Sequence, residues 1–180
     1  MELFLLQNDP SHTKYSTSDG RVVYNTETIS PSHLLPSITS VTRYLRNANS
    51  GIDSPVEVGH IEHQAGRGTS LRLSWGEYAE LRLIVFPATE EDNGRSWIFV
   101  GPNDQSYKWQ ILFKYPVLLT NDNSRTPIAR YHRAKLGIIS RSRRGSLEIL
   151  PAGADIADIV VVTFVSFMKQ RGSLEYHHEG

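Results

Sequence analysis

The chain has 180 residues, with 19 Lys plus Arg against 19 Asp plus Glu and no cysteine, so its formal net charge at pH 7 is zero. A chain of this length is one domain of ordinary size, with a core large enough to fold without covalent staples. The absence of cysteine excludes a disulfide scaffold, a thiolate zinc site and a cysteine nucleophile. Zero net charge argues against a general nucleic-acid binder, so an anionic partner has to be met by a local patch.

The N-terminal sequence does not match a targeting signal. It starts with Met-Glu and has only four consecutive apolar residues, at positions 3–6, whereas a secretory signal needs a basic start and a longer apolar run. The sequence also has no Asn-x-Ser/Thr acceptor for N-glycosylation. We therefore expect a cytoplasmic protein.

Short runs with strand character follow one another along residues 3–150, separated by turn-forming residues such as Ser18-Asp19-Gly20 and Asn93-Gly94. Their regular spacing is typical of a meander, a sandwich or a barrel. The sequence therefore predicts about eleven strands, at residues 3–6, 22–28, 38–45, 56–64, 70–75, 81–86, 96–100, 107–113, 117–120, 128–139 and 147–150.

Residues 107–113 show most clearly the alternation of a half-buried strand. The apolar face of this strand is predicted to lie in the core, and it consists of Tyr107, Trp109, Ile111 and Phe113. Residues 128–136 alternate less cleanly, because neither face is wholly apolar. That pattern predicts a polar face or a β-bulge there.

The sequence changes character after residue 150. Asp155 is a suitable N-cap, Asp158 falls in the first turn and Gly172 follows basic residues, so we predict a helix over residues 155–171. Consecutive β-branched residues at 160–163 would suit a buried strand equally well, but length and capping favour the helix.

Apolar side chains cover every direction around this helix, so it must be buried on all sides. Its charge-free stretch, residues 159–168, is ten residues long, whereas a bilayer span needs about twenty. We therefore predict no transmembrane segment. The simplest arrangement is a closed antiparallel β-barrel of about eleven to twelve strands around a buried hydrophobic C-terminal α-helix. Residues 1–172 form this single domain, and residues 173–180 are predicted to be a flexible tail.

Four short motifs, in this order, resemble those of an uncharacterised family of small proteins from mushroom-forming fungi, a domain of unknown function. They are Trp97-Ile-Phe-Val-Gly-Pro-Asn-Asp104, Tyr107-Lys-Trp109, Ile128-Ala-Arg-Tyr-His132 and Asp155-Ile-Ala-Asp158. More broadly, the chain resembles tubby-like proteins, which include the tubby domain, phospholipid scramblases and LURP-one-related proteins. The resemblance covers about residues 3–171. It implies a barrel threaded by the C-terminal helix, binding of phosphoinositides or other lipids, and no general catalytic activity.

The charge distribution departs from neutrality between Asp122 and Glu148, where seven basic residues occur without an acidic one. Arginine forks suit phosphate oxygens, so the segment predicts a non-catalytic binding protein that recognises a phosphoinositide, another acidic lipid or another phosphate-bearing ligand. Such a protein would contact the membrane peripherally. The alternative is a set of solvated strand and turn side chains. The candidate ligand-binding residues are Arg130, Arg133, Lys135, Arg141, Arg143 and Arg144.

Two other function classes stay open. The first is an enzyme that acts on a small molecule with acid/base groups from His60, Glu62, His63 and His132. Because residues 60 and 63 of a strand face opposite sides, we predict neither a metal site nor a cofactor. The second is a protein-interaction module, for which an exposed apolar patch or a symmetric dimer would argue.

Aromatic residues in the strands invite a ligand-cavity interpretation. With a helix in the centre of the fold, we expect most of them to pack against Phe164 and Phe167 instead. The residues concerned are Trp75, Trp97, Tyr107 and Trp109.

Overall fold

Thirteen β-strands, all paired antiparallel, form one sheet within the described part of the computed structural model. The description covers residues 1–30, 35–46, 53–64, 68–75, 79–84, 86–87, 96–101, 104–134 and 143–177, and it is limited to the backbone at 64, 68–70, 74–75, 79–84, 86–87 and 172–177. The strands are β1 Glu2–Leu5, β2 Thr13–Ser16, β3 Val22–Ile29, β4 Ser37–Arg46, β5 Asp53–Gln64, β6 Gly68–Trp75, β7 Ala79–Ile84, β8 Phe86–Pro87, β9 Ser96–Val100, β10 Ser106–Leu112, β11 Tyr115–Thr120, β12 Pro127–His132 and β13 Ser146–Ile149.

The sheet consists of two meanders joined along one seam. Its strand order is β7-β6-β5-β4-β3-β2-β1-β13-β12-β11-β10-β9-β8, so β1 and β13 form the seam between the N-terminal and C-terminal strands. The edge strands β7 and β8 are not paired with each other, although β7 passes near β9. The fold is therefore mainly β, as predicted, but hydrogen bonds among the described residues do not close the sheet into a barrel.

The predicted C-terminal helix is present, with different ends. A short 3₁₀ helix, Pro151–Ile156, follows the extended residue Leu150 and continues directly into α1, Ala157–His177. Asp155 is therefore not an N-cap, because Pro151 has already started the first turn, a position that suits the fixed φ of proline. Gly172 does not end the helix either. Residues 173–177, expected in a tail, belong to α1.

The middle of α1 is buried on every side. All side chains of residues 159–167 are at most 4% exposed. They contact strands from widely separated parts of the sheet, since β5 packs against Val162, β10 and β12 against Phe164, and β9 against Phe167. The sheet therefore curves around the helix, which is the shared core of both meanders.

Polar contacts hold α1 to β4 at two places along the helix, and we use these places to name the two ends of the sheet. At the start of the helix, Asp158 pairs with Arg43 near the end of β4; we call this the Asp158 end. Farther along the helix, Lys169 donates a hydrogen bond to Thr39 near the start of β4; we call this the Lys169 end.

One segment of the described chain, Pro151–Arg171, is long and apolar enough to cross a membrane when judged by length and composition alone. In this fold its residues 159–167 are covered by the strands. The core helix of a water-soluble domain meets the same criterion, so this property does not assign a membrane topology.

Candidate functional site

Three of the predicted ligand-binding arginines lie close together along the backbone where β12 ends and β13 begins. The Leu5 amide donates a 2.9 Å hydrogen bond to the carbonyl of Gly145. A Cβ at Gly145 would lie 3.6 Å from the carbonyl oxygen of His132. Residues 143–145 therefore run alongside residues 132–134, at the Lys169 end of the sheet. We call the three exposed side chains at this place the basic hairpin end, and they are Arg133, Arg143 and Arg144.

Lys135 and Arg141 lie outside the described residues. By chain position they belong to the connection between Arg133 and Arg143. No acidic residue occurs in that connection, since the first one after Asp122 is Glu148. Lys135 and Arg141 therefore add two positive charges to the segment that connects Arg133 to Arg143.

Arg130 occupies a different electrostatic environment. It points outward from the middle of β12, and its cross-strand partner in β13 is Glu148. Glu148 in turn faces Glu2 of β1. Directly opposed residues on one face of a sheet interact, so Arg130 belongs to a row of mixed charge and not to the basic hairpin end. Arg133 lies beyond the end of β12, which is at His132, so the two arginines do not share a strand.

The pairing of β11 with β12 contains the bulge that the sequence pattern predicts for this region. Its register shifts between Leu118 and Leu119. Ala129 and Tyr131 are buried on the inner face, while Arg130 is exposed on the outer one. The strand therefore has one apolar face and one polar face after all.

The histidines considered for acid/base chemistry are dispersed over the sheet. The imidazole of His132 lies 3.4 Å from Glu148 on the outer face of β12, as measured from Nε2 to Oε2. His60 is on the outer face of β5, with Nδ1 4.0 Å from Glu57 Oε1. His63 faces inward, where burial and then the positive charge of Lys169 lower its pKa. Among the described residues, no group of three His, Asp or Glu could hold a metal ion.

A chain of hydrogen bonds connects Lys169 of α1 to Thr39 of β4, to Thr28 of β3 and to Ser11, which precedes β2. The Lys169 amine donates to Thr39 Oγ1 at 2.8 Å, and the hydroxyls of Thr39 and Thr28 are 2.8 Å apart. Thr28 also donates to the carbonyl of Ser11 at 2.8 Å, so Thr39 is the donor between the two threonines. Burial lowers the pKa of Lys169, and the charge of Asp9 partly opposes this effect.

At the opposite end, Asp158 accepts hydrogen bonds from two strands. The hydroxyl of Tyr24 donates to Oδ1 at 2.6 Å, and Nη1 of Arg43 lies 3.1 Å and 3.0 Å from the two carboxylate oxygens. Burial, followed by the charge of Asp158, raises the pKa of Tyr24. The acid at the start of the helix was predictable from the sequence, but its partners on β3 and β4 depend on register.

Phe113 is not in the core, contrary to the alternation argument. It is 94% exposed in the two-residue turn that joins β10 to β11, and both turn residues have positive φ, 48° at Phe113 and 75° at Lys114. Glycine, asparagine and aspartate are the usual residues for such a turn. Because the turn contains none of them, the sequence pattern continued the strand one residue too far.

The predicted packing of aromatic strand residues against Phe164 and Phe167 is confirmed for Trp97 and Trp109. The ring centroids of Trp97 and Trp109 lie 6.0 Å and 5.7 Å from that of Phe167. Tyr107 stacks instead on Phe99, at 5.4 Å. The side chain of Trp75 lies outside the description. The rings of Trp97, Tyr107 and Trp109 are buried in the core.

Comparison with known proteins identifies a family and no more. A family model described as a family of unknown function, DUF6593, matches residues 8–173. Neither the curated proteins nor the solved structures gave a match.

Proposed function

Because the chain belongs to the DUF6593 family, whose function is unknown, we propose a function from its own surface: it is a non-catalytic binding protein that recognises a phosphate-bearing anion. The observation that carries this proposal is the location of three exposed arginines, Arg133, Arg143 and Arg144, on adjacent stretches of backbone at one end of the β12–β13 hairpin. The binding surface is the basic hairpin end, together with Lys135 and Arg141 from the connection.

The residue types at the basic hairpin end suit a phosphate-bearing ligand. Guanidinium groups present a planar fork of N–H donors that matches two phosphate oxygens, and they stay charged at every physiological pH. Arg130 is a weaker candidate, because Glu148 and Glu2 lie beside it in register. We therefore place ligand binding at the basic hairpin end and not at Arg130.

An acidic lipid, above all a phosphoinositide, is the ligand class we favour. Each basic residue near an anionic bilayer contributes about 1 kcal/mol, so three arginines supply about 3 kcal/mol, or roughly a hundredfold in affinity. Acidic lipids are enriched in the cytoplasmic leaflet, and a cytoplasmic location of the protein would give it access to them.

The test is charge reversal at the basic hairpin end, with a matched control. The variant Arg133→Glu, Arg143→Glu, Arg144→Glu changes three exposed side chains. The control Arg21→Glu, Arg46→Glu, Arg125→Glu changes the net charge equally at exposed positions of the Asp158 end. Binding is measured by co-sedimentation with phosphatidylcholine vesicles, with and without phosphatidylinositol bisphosphate, and by calorimetry with soluble inositol trisphosphate.

We expect the hairpin variant to lose binding to both probes and the control to keep it. The affinity should also fall as salt rises, because exposed charges are screened. A wild-type protein that binds neither probe, or a hairpin variant that binds as well as the control, would overturn the proposal.

We also propose that the sheet closes into a tubby-like barrel around α1. The burial of residues 159–167 on all sides and the passage of β7 near β9 support closure. In an antiparallel edge strand, every second amide points away from its neighbour. If the sheet is closed, hydrogen exchange should be slow at successive amides of β7; fast exchange at alternate amides would indicate an open edge.

A further inference from the structure

The turn that joins β10 to β11 presents an unusual apolar surface. Phe113 is 94% exposed, and its neighbours Leu112 and Tyr115 are 39% and 37% exposed. We call residues 112–115 the aromatic tip. A projecting phenylalanine flanked by two more partly exposed apolar side chains is a local patch, whereas single surface apolar residues are common and need no explanation.

The backbone of the aromatic tip is strained by its own sequence. Both turn residues adopt the left-handed conformation, at φ 48° for Phe113 and 75° for Lys114. For a bulky residue this conformation is an outlier, and a hairpin of this length ordinarily uses Asn-Gly. Strained backbone tends to occur at functional sites. The turn holds a large apolar side chain in water without gaining any packing from it.

The aromatic tip adjoins the basic hairpin end. β11 starts at the tip and pairs with β12, so Tyr115 and the end of β12 lie at the same end of the sheet. The ring of Tyr115 is centred 6.5 Å from that of His132, the residue before Arg133. On the other side of the hairpin, the amide of Leu5 in β1 donates a hydrogen bond to the carbonyl of Gly145. The next residue, Leu6, is 48% exposed.

The basic hairpin end therefore lies between two apolar groups. Leu6, at the end of β1, is on one side, and the aromatic tip, at the start of β11, is on the other. We propose that this surface docks on a bilayer containing acidic lipids, with Phe113 inserted among the acyl chains and the arginines at the head groups. The charge selects the acidic membrane surface, and the tip supplies apolar area to bury in it. The proposal rests on the proposed function and commits the anion to a lipid source.

Lys114 fits the same arrangement. It is next to Phe113 in the turn, and a lysine can bury its aliphatic stem while its amine stays at the level of the lipid phosphates. The tip therefore combines one side chain for the hydrocarbon with one for the head groups.

Tryptophan at the tip provides a direct probe of insertion. In the variant Phe113→Trp, we expect the emission of the new indole to shift to the blue on vesicles containing phosphatidylserine or phosphatidylinositol bisphosphate. Brominated acyl chains should quench it. The emission of the three native tryptophans, Trp75, Trp97 and Trp109, is removed by subtracting the spectrum of the wild type recorded with the same vesicles. The matched control is Leu45→Trp, at a position 43% exposed on β4 at the Asp158 end, which should be neither shifted nor quenched.

Truncation of the tip separates this inference from the proposed function. Phe113→Ala should weaken binding to acidic vesicles by roughly tenfold, because one large apolar side chain no longer enters the bilayer. It should leave the affinity for soluble inositol trisphosphate unchanged. The side chain makes little contact with the rest of the fold, so the circular dichroism spectrum should match that of the wild type.

Three results would overturn the insertion. These are vesicle binding that Phe113→Ala does not weaken, a tip tryptophan that brominated lipid does not quench, and binding to soluble inositol trisphosphate without binding to vesicles. In all three cases recognition of a phosphate-bearing anion would stand. If neither vesicles nor inositol trisphosphate bound, the proposed function itself would fail.

Discussion

Gly59 of β5 lies so close to Val162 of α1 that a Cβ built on the glycine would come within 2.3 Å of Val162 Cγ2. Glycine in a strand often marks such a close approach of two elements. We expect Gly59→Ala to lower the free energy of unfolding by about 1–3 kcal/mol, because the extra methyl overpacks the core. Urea unfolding monitored by circular dichroism measures this loss.

A double-mutant cycle tests the cause of that loss. Val162→Ala removes the methyl groups that a methyl side chain at position 59 would meet, so the two substitutions together should cost less than the sum of their separate costs. Strict additivity would show that contact with Val162 is not the cause of the loss.

Thr163 joins the aromatic core to the helix backbone. Its hydroxyl accepts a 3.0 Å hydrogen bond from the indole of Trp109 and donates one of 2.7 Å to the carbonyl of Ile159. Thr163→Val keeps the shape and leaves the buried indole N–H without an acceptor, which should cost about 1–3 kcal/mol. Thr163→Ser keeps the hydroxyl and should retain the tryptophan emission maximum, whereas Thr163→Val should shift it.

Ionisation of Tyr24 should make the folded protein less stable in alkaline solution. Its pKa is raised above the ordinary value of 10.0 by burial and then by Asp158, so above that pH the unfolded chain loses a proton that the folded protein keeps. Stability therefore falls as pH rises past 10.0. Tyr24→Phe should cost about 1 kcal/mol near neutrality through the lost bond to Asp158.

The same variant should lose less stability than the wild type on going from neutral to alkaline buffer. Equal losses would mean that other groups set the alkaline limit. Urea midpoints in the two buffers decide between these outcomes.

His63 should make the protein less stable in mild acid. Burial, then the charge of Lys169, lowers its pKa below the ordinary 6.5, so the unfolded chain binds a proton before the folded protein does. The free energy of unfolding therefore falls as pH drops below 6.5 and levels off below the folded pKa. His63→Gln should reduce this loss. In Lys169→Gln, the pKa of His63 measured by NMR should rise, and an unchanged value would exclude the electrostatic contact.

The sequence predicted those parts of the fold that depend on hydrophobic patterning. Tyr107 and Trp109 alternate into the core as expected, and the helix with apolar residues on all sides is buried on all sides. The strand Thr13–Ser16 was missed because it is only four residues long and mostly polar, and its pairing with both β1 and β3 sustains it.

The candidate site was predictable as a stretch of chain and not as a surface. The acid-free interval pointed to the arginines, but the interval by itself cannot separate Arg130 from Arg133. That separation depends on the register of β12 with β13, in which Glu148 lies opposite Arg130, whereas Arg133 follows the last paired residue, His132. The exposure of Phe113 was not predicted for a related reason, because the two strands that it connects impose a positive φ on this residue.

The position of α1 after all thirteen strands bears on how the protein is made. During synthesis the strands leave the ribosome before the side chains that cover their inner face, so a nascent chain ending before Ile159 exposes apolar strand residues that have no partner. Such exposure promotes aggregation, and chaperones bind chains in this state. We expect the protein to reach its folded state only after the helix has emerged from the ribosome, and a stop codon before position 159 to yield an insoluble product.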